Sequence, residues 1–164
     1  MNKASRSDRY QAVLNHMPLQ GNRAQRMARL IDLLWDHLRD TDVSWIGFYL
    51  DQPGEMDDRR LVLGPCRDKP ACSPIGMHGA CGQALSSRQV RVIHDVAELG
   101  ENYIACDPRD RSELVLPLFD ERGKCWGVLD VDSWEVGSFD ESDAAQLNAV
   151  LVAAQLTTND SVPE

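Results

Sequence analysis

Five cysteines are the residues of this chain best suited to covalent chemistry. Cys72, Cys81 and Cys106 lie in glycine- and proline-rich loops or at element ends, Cys66 lies just before them, and Cys125 falls inside a predicted strand. A thiol of low pKa can attack an electrophile, become a sulfenic acid and condense with a second thiol. Cys81 is predicted near the start of a short helix, where the helix dipole favours a thiolate. The loop cysteines therefore indicate a nucleophile with resolving thiols, whereas Cys125 is interpreted as structural.

Zinc binding is the alternative chemistry for these cysteines. The chain has no C-x-x-C pair, and cysteines at positions 66, 72, 81 and 106 match no familiar zinc-binding spacing. His78 could add a ligand, although a single loop histidine is usually solvated. We therefore expect no metal and no bound cofactor.

Three carboxylates are predicted near one end of a β-hairpin whose turn is residues 120–123. With a four-residue turn, Glu113 faces Asp130, and Asp132 lies two residues further along on the same side of the sheet. The other side of the hairpin then carries only apolar residues, which are Leu114, Leu116, Leu118, Leu129 and Val131. This register gives the hairpin one buried face and one acidic face.

Clustered carboxylates repel one another and raise each other's pKa unless a cation or a proton lies among them. One interpretation is a solvated strand end. The other is a site for an ammonium group or a metal, with one carboxyl held protonated as an acid. Trp45 and Tyr49, four residues apart on a predicted strand, share one face and form either core or the wall of such a site.

The elements that must position these residues follow from apolar periodicity and turn residues. Helices are predicted at 8–17, 24–39 and 79–87 and from residue 140, and strands at 43–50, 60–63, 90–93, 114–119 and 125–131. Irregular loops are predicted at 64–82 and 94–111. This order predicts an α+β fold with a mainly antiparallel sheet, whose terminal helices pack together on one face.

Composition limits the classes of partner. The chain has 164 residues, which suits one domain, and 17 basic against 26 acidic residues give a net charge of −9. Nucleic acids and anionic membranes require clustered cations, so neither is expected as a partner. No apolar run is long enough to span a membrane, and the polar N-terminus does not resemble a signal peptide. We therefore expect a cytoplasmic protein.

Seven short segments, in this order along the chain, also resemble a known family. They are WIGFYL (45–50), LGP (63–65), AC (71–72), GACG (79–82), IACD (104–107), SELVLPL (112–118) and GVLDVDS (127–133). Together they resemble the free methionine-(R)-sulfoxide reductases, which are stand-alone GAF-domain enzymes. The resemblance covers residues 8–155.

The resemblance implies a GAF fold, with residues 1–164 as a single domain, usually in a homodimer. It implies reduction of free L-methionine (R)-sulfoxide with thioredoxin as the electron donor. By the same resemblance, Cys106 is the catalytic cysteine, Cys72 the resolving cysteine and Cys81 an auxiliary cysteine. The residues that would form the substrate site are Trp45, Tyr49, Glu113, Asp130 and Asp132.

The sequence alone leaves two alternatives open. Many GAF domains are non-catalytic sensors of small ligands, and a fold alone does not fix function. Three loop cysteines and three carboxylates are more than such a sensor requires. The loops around Cys81 also differ in length from the usual family pattern, so Cys66 could act as an extra resolving thiol.

Overall fold

The structure, a computed structural model, describes residues 3–158. Four α-helices and five strands occur in these residues: α1 (Lys3–Leu14), α2 (Arg23–Leu38), β1 (Trp45–Asp51), β2 (Leu61–Arg67), α3 (Ala80–Ser87), β3 (Arg91–Ile93), β4 (Ser112–Phe119), β5 (Cys125–Ser133) and α4 (Glu141–Ala153). The strands form one antiparallel sheet in the order β2–β1–β5–β4–β3. The predicted α+β fold is confirmed. Residues 1–2 and 159–164 of the predicted domain lie outside the described residues.

β2 is longer than predicted, because it continues through Gly64 and Pro65 to Arg67. Proline cannot donate a backbone hydrogen bond, and the sequence therefore favours a loop from residue 64 onward. An edge strand tolerates proline where the missing N–H faces away from the neighbouring strand, and β2 lies at the edge of the sheet. The second predicted loop also contains a 3-10 segment, Val96–Asn102.

Three helices cover one face of the sheet. α1 packs against α2 and α4, so the predicted association of the terminal helices is confirmed, while α2 also packs on β1 and β2. Asn22 caps the N-terminus of α2 and forms a capping box with Gln25. The apolar periodicity that predicts this helix forms a stripe in which Met27, Leu30, Ile31, Leu34 and Leu38 are buried, while Trp35 is half-buried. The apolar side of the β4–β5 hairpin meets these helices in one core cluster.

α3 lies on the opposite face of the sheet, against β3, β4 and β5. A second buried cluster forms there around Trp45, Tyr49 and Cys81. None of the helices in the described part of the chain is both long and apolar enough to cross a bilayer.

A buried ion pair joins the two ends of the fold. The Arg6 guanidinium on α1 lies 3.1 Å from the Asp143 carboxylate on α4, and both side chains are 5% exposed. Arg6 also donates to the carbonyl oxygens of Ser138 and Thr41, at 2.6 and 2.8 Å. The Tyr10 hydroxyl donates to the other Asp143 oxygen at 2.9 Å. α1 is therefore held to α4 by charge as well as by apolar packing.

Removing the charge of Asp143 should destabilise the fold strongly, because an uncompensated arginine would stay buried. We expect Asp143→Asn to lower the free energy of unfolding by about 3 kcal/mol, measured by urea denaturation. Asp40→Asn is the matched control, since Asp40 pairs with Arg9 on the surface and exposed pairs contribute at most about 1 kcal/mol. Equal losses in the two variants would contradict a structural role for the buried pair.

Candidate active site

The three carboxylates share one face of the β4–β5 hairpin, but the predicted register is wrong by two residues. Glu113 faces Asp132 rather than Asp130, and Asp130 faces Val115. Side chains alternate along a strand, so a shift of two residues keeps every side chain on its face. The acidic face and the apolar face are therefore as predicted, although the individual pairs differ.

The shift arises in the turn and in the residues beside it. Phe119 pairs with Cys125, so five residues form the turn instead of four. Leu118 then pairs with Gly127, which leaves Trp126 as an extra residue on β5. The Asp120 carboxylate closes the turn by accepting the N–H groups of residues 122 and 124, at 2.9 and 3.0 Å.

A thiol joins the carboxylates at the base of the site. α3 begins after Gly79, and its first turn places Cys81 against the hairpin. The Sγ of Cys81 and a carboxylate oxygen each of Glu113 and Asp130 lie within 4.8 Å of one another. Glu113 and Asp130 are only 8% and 5% exposed, and Asp132 is half-buried. The Oδ1 atom of Asp130 is buried and has no hydrogen-bond partner among the described residues.

Burial raises the pKa of all three carboxyls. Removal from water is the largest cause at each residue, and the neighbouring carboxylates add to it at Asp130 and Asp132. The same two causes raise the pKa of the Cys81 thiol well above its ordinary value. The predicted thiolate at Cys81 is therefore wrong, because burial beside acids outweighs the helix dipole. The raised pKa values favour the protonated form of each of these groups, which suits a carboxyl of the cluster to proton donation.

Cys72 and Cys106 are joined by a disulfide, with their Cα atoms 5.5 Å apart. This pair is the one implied by the family resemblance. Both residues lie in exposed segments outside the strands and helices, so a reductant can reach them from solvent. The other three cysteines are free: Cys81 and Cys125 are buried, as expected for a structural Cys125, and Cys66 is half-buried.

Trp45 and Tyr49 lie on the same face of β1, with ring centroids 6.1 Å apart. The Trp45 indole N–H donates to the Lys69 carbonyl at 2.8 Å. The Tyr49 hydroxyl donates to the Cys72 carbonyl, also at 2.8 Å. Both aromatic residues therefore fix the loop that carries Cys72 onto the sheet, in addition to forming an apolar wall.

One small cavity, of about 40 Å³, brings the predicted site together. Seven of the eight predicted site residues line it: Trp45, Tyr49, Cys81, Cys106, Glu113, Asp130 and Asp132. Cys72, the eighth, is bonded to Cys106. A groove of about 670 Å³ adjoins the cavity. Both spaces are bordered by Trp45, Ala71, Cys106, Asp110 and Asp132.

Asp110 lies at this junction and was not predicted as a site residue. Its carboxylate accepts the Ser44 hydroxyl at 3.2 Å. Burial, with repulsion from Asp107 as the next largest cause, raises the Asp110 pKa to about 7. Asp107 itself bonds to Arg109, which lowers the Asp107 pKa to about 2. The sequence places Asp110 in a polar loop, and no feature there separates it from the other loop acids.

The architecture and the site together define a class of protein: a GAF domain that carries a disulfide beside an acidic cavity. The family model described as "GAF domain" matches residues 26–158.

Similar proteins narrow this class. The free methionine-R-sulfoxide reductase of Escherichia coli is 41% identical over 138 residues, which are 81% of this chain and 78% of that protein. The enzyme of the same name from Saccharomyces cerevisiae is 34% identical over 76% of this chain and 69% of its own length. A crystal structure of free methionine-R-sulfoxide reductase from Neisseria meningitidis, in complex with its substrate, is 30% identical with a TM-score of 0.74, over 93% of this chain and 89% of that one. The chain therefore belongs to the GAF-domain family and, within it, to the free methionine-R-sulfoxide reductases.

The raised pKa of Asp110 predicts how stability depends on pH. Its pKa rises from 3.8 to about 7 on folding, so between these values the folded chain holds a proton that the unfolded chain has lost. The free energy of unfolding therefore falls as pH rises through this window and levels off above it. We expect Asp110→Asn to remove this part of the fall and to be more stable than the parent protein at pH 8.

The measurement is urea denaturation of both proteins at several pH values between 4 and 8. Glu121→Gln is the control for loss of one negative charge, because Glu121 is exposed in the hairpin turn and borders neither the cavity nor the groove. An Asp110→Asn variant with the same pH dependence as the parent would contradict a protonated Asp110.

Proposed function

We propose that this chain reduces free L-methionine (R)-sulfoxide to methionine through a sulfenic acid and an intramolecular disulfide. The observation that carries this proposal is the shared cavity, in which a cysteine of the disulfide and three carboxyls, two of them buried and one half-buried, border the same space. The reductases named above, similar over most of their length, support the same activity.

The cavity offers a partner for each group of the substrate. The ammonium group of the free amino acid would bind among Glu113, Asp130 and Asp132, because ionised carboxylates compensate its charge. The methyl group would lie against Trp45 and Tyr49. The substrate carboxylate would meet backbone N–H groups at the start of α3, where the helix dipole favours an anion. A peptide-bound sulfoxide has no ammonium group at this position, so the cluster favours the free amino acid.

The reaction begins with attack of the Cys106 thiolate on the sulfoxide sulfur. A protonated carboxyl of the cluster donates to the sulfoxide oxygen, which makes the sulfur more electrophilic. The oxygen then passes to Cys106 as a sulfenic acid, and methionine leaves with the electron pair. The Cys72 thiol attacks the sulfenic sulfur, forms the disulfide and releases water. Two thiols are thus oxidised while one sulfoxide is reduced.

Thioredoxin is the proposed reductant. Cys72 and Cys106 are both exposed, so an external dithiol can attack one of their sulfurs and complete the exchange. We propose a cytoplasmic location, because the cytoplasm keeps a thioredoxin pool reduced. We also propose a homodimer, which is the assembly that the family resemblance implies. Cys81, buried under the carboxylates, is proposed as an auxiliary thiol.

Substrate entry requires movement in this proposal. A cavity of about 40 Å³ is far smaller than the roughly 300–1,000 Å³ of ordinary small-molecule sites, so it is too small for an amino acid. The groove beside it is open and larger, and Ala71 and Cys106, which lie in the two loops joined by the disulfide, border both spaces. Opening of the disulfide frees these loops to separate, so the reduced protein is the form that accepts substrate.

An epimer-resolved assay tests the activity. We expect turnover of free L-methionine (R)-sulfoxide, measured as NADPH oxidation coupled through thioredoxin reductase and thioredoxin. The S epimer and a peptide containing methionine sulfoxide should turn over at least about tenfold more slowly, because each misplaces a group that the cavity binds. Absence of turnover by fully reduced protein would leave the non-catalytic sensor as the better interpretation.

Cysteine variants test the assigned steps. Cys106→Ser should lower turnover roughly a thousandfold or more, because it removes the nucleophile. Cys72→Ser should release one methionine per chain and then stop, since no resolving thiol follows, as measured by rapid-quench product analysis. Sustained turnover by Cys72→Ser would show that another thiol, such as Cys66, is the resolving cysteine. Full activity of Cys106→Ser would contradict the assignment of Cys106 as the nucleophile.

A further inference from the structure

We propose that the acidic cavity is also a binding site for a thiophilic divalent cation, of which Zn²⁺ and Cd²⁺ are the representatives. Its ligands are the Sγ of Cys81 and carboxylate oxygens of Glu113 and Asp130, which lie within 4.8 Å of one another. They come from α3, β4 and β5, so regular elements hold all three.

A second observation points to a ligand at the same place. Asp130 is 5% exposed, and its Oδ1 atom has no hydrogen-bond partner among the described residues. Asp130 also lines the cavity. Leaving a buried carboxylate oxygen unpartnered costs free energy, and a cation bound there would remove that cost.

The donor set selects the class of cation. Zinc binds thiolate at about 2.3 Å and carboxylate oxygen at about 2.0–2.2 Å, so its ligand atoms lie roughly 3.5 Å apart in a tetrahedron. Side-chain movements of about 1 Å would bring the three ligands to that spacing. Calcium takes six to eight oxygen ligands, and magnesium retains several waters, so neither suits a thiol in a cavity of about 40 Å³.

Asp132 or a water molecule is available for the fourth position, since Asp132 lines the same cavity. Binding releases to solvent the thiol proton of Cys81 and any carboxyl proton on Glu113 or Asp130, and it places two positive charges among the acids. The cation and the substrate ammonium would need the same carboxylates, and therefore exclude each other. This competition rests on the proposed function, whereas the cation site does not.

Cadmium titration of the protein that retains the Cys72–Cys106 disulfide tests the site, because only Cys66, Cys81 and Cys125 are then free. We expect one Cd²⁺ per chain by calorimetry, with an ultraviolet thiolate-to-cadmium absorption band. Cys81→Ser should remove the band and weaken binding at least about 100-fold, and Asp130→Asn at least about tenfold. Cys66→Ser is the matched control and should bind as the parent does. Near-ultraviolet circular dichroism checks that each variant is folded.

Either of two results would overturn the proposal: no stoichiometric Cd²⁺ binding, or an absorption band that persists in folded Cys81→Ser. Methionine sulfoxide, added to the Cys72→Ser, Cys106→Ser double variant, separates this proposal from the function, because that variant has no disulfide and no nucleophile and keeps the same three free thiols. Displacement of Cd²⁺ supports both. If Cd²⁺ binds with the expected dependence on Cys81 but the sulfoxide does not displace it, the cation site stands and the substrate placement fails.

Discussion

The pairing of β4 with β5 is the constraint on which the rest of the structure depends. The apolar face of this hairpin packs against three helices, and its other face presents three carboxyls to the cavity. Burying acids is unfavourable, so the acidic face can persist only because the apolar face anchors the same two strands in the core. The positions of Glu113, Asp130 and Asp132 are therefore set by leucine packing on the far side of the sheet.

The contrast between the apolar and acidic faces of the hairpin explains which parts of the fold the sequence predicts well. The α2 stripe and the alternation along the hairpin are local patterns, and burial preserves them. The register depends on the number of residues in the turn and on the extra residue Trp126. Neither feature can be predicted from the alternation of apolar and polar residues. The error was harmless to the site because it was even: a slip of one residue would have turned Asp130 and Asp132 into the core. The predicted β2 ends too early for a different reason: Pro65 is compatible with a strand only at a sheet edge, and the sequence alone does not show that β2 lies there.

The contacts that could not be predicted from the sequence are those between segments distant along the chain. The helix dipole at Cys81 is a local feature and predicts a thiolate, but the carboxylates that oppose it come from β4 and β5, more than 30 residues further along the chain. Asp110 likewise obtains its raised pKa from burial at the junction of the cavity and the groove and from neighbouring acids. Electrostatic environments of this kind are properties of the assembled fold, so residue type and spacing predict which groups are present but not their protonation.

In the proposed reaction, substrate recognition and thiol exchange are performed by different parts of the site: the first by the strands and the second by exposed loops. Recognition in the proposed reaction rests on strands β1, β4 and β5, where side chains are fixed by packing, whereas the thiol pair lies in loops. A thiol pair must change partners during each cycle, from sulfoxide to thiol to external dithiol, and exposed loops allow that movement at little cost in core packing. The Tyr49 hydroxyl, bonded to the Cys72 carbonyl, connects the two parts. With the disulfide in place the cavity beside the acids is only about 40 Å³, so in this mechanism the oxidised state cannot hold a second substrate until an external dithiol has reduced it.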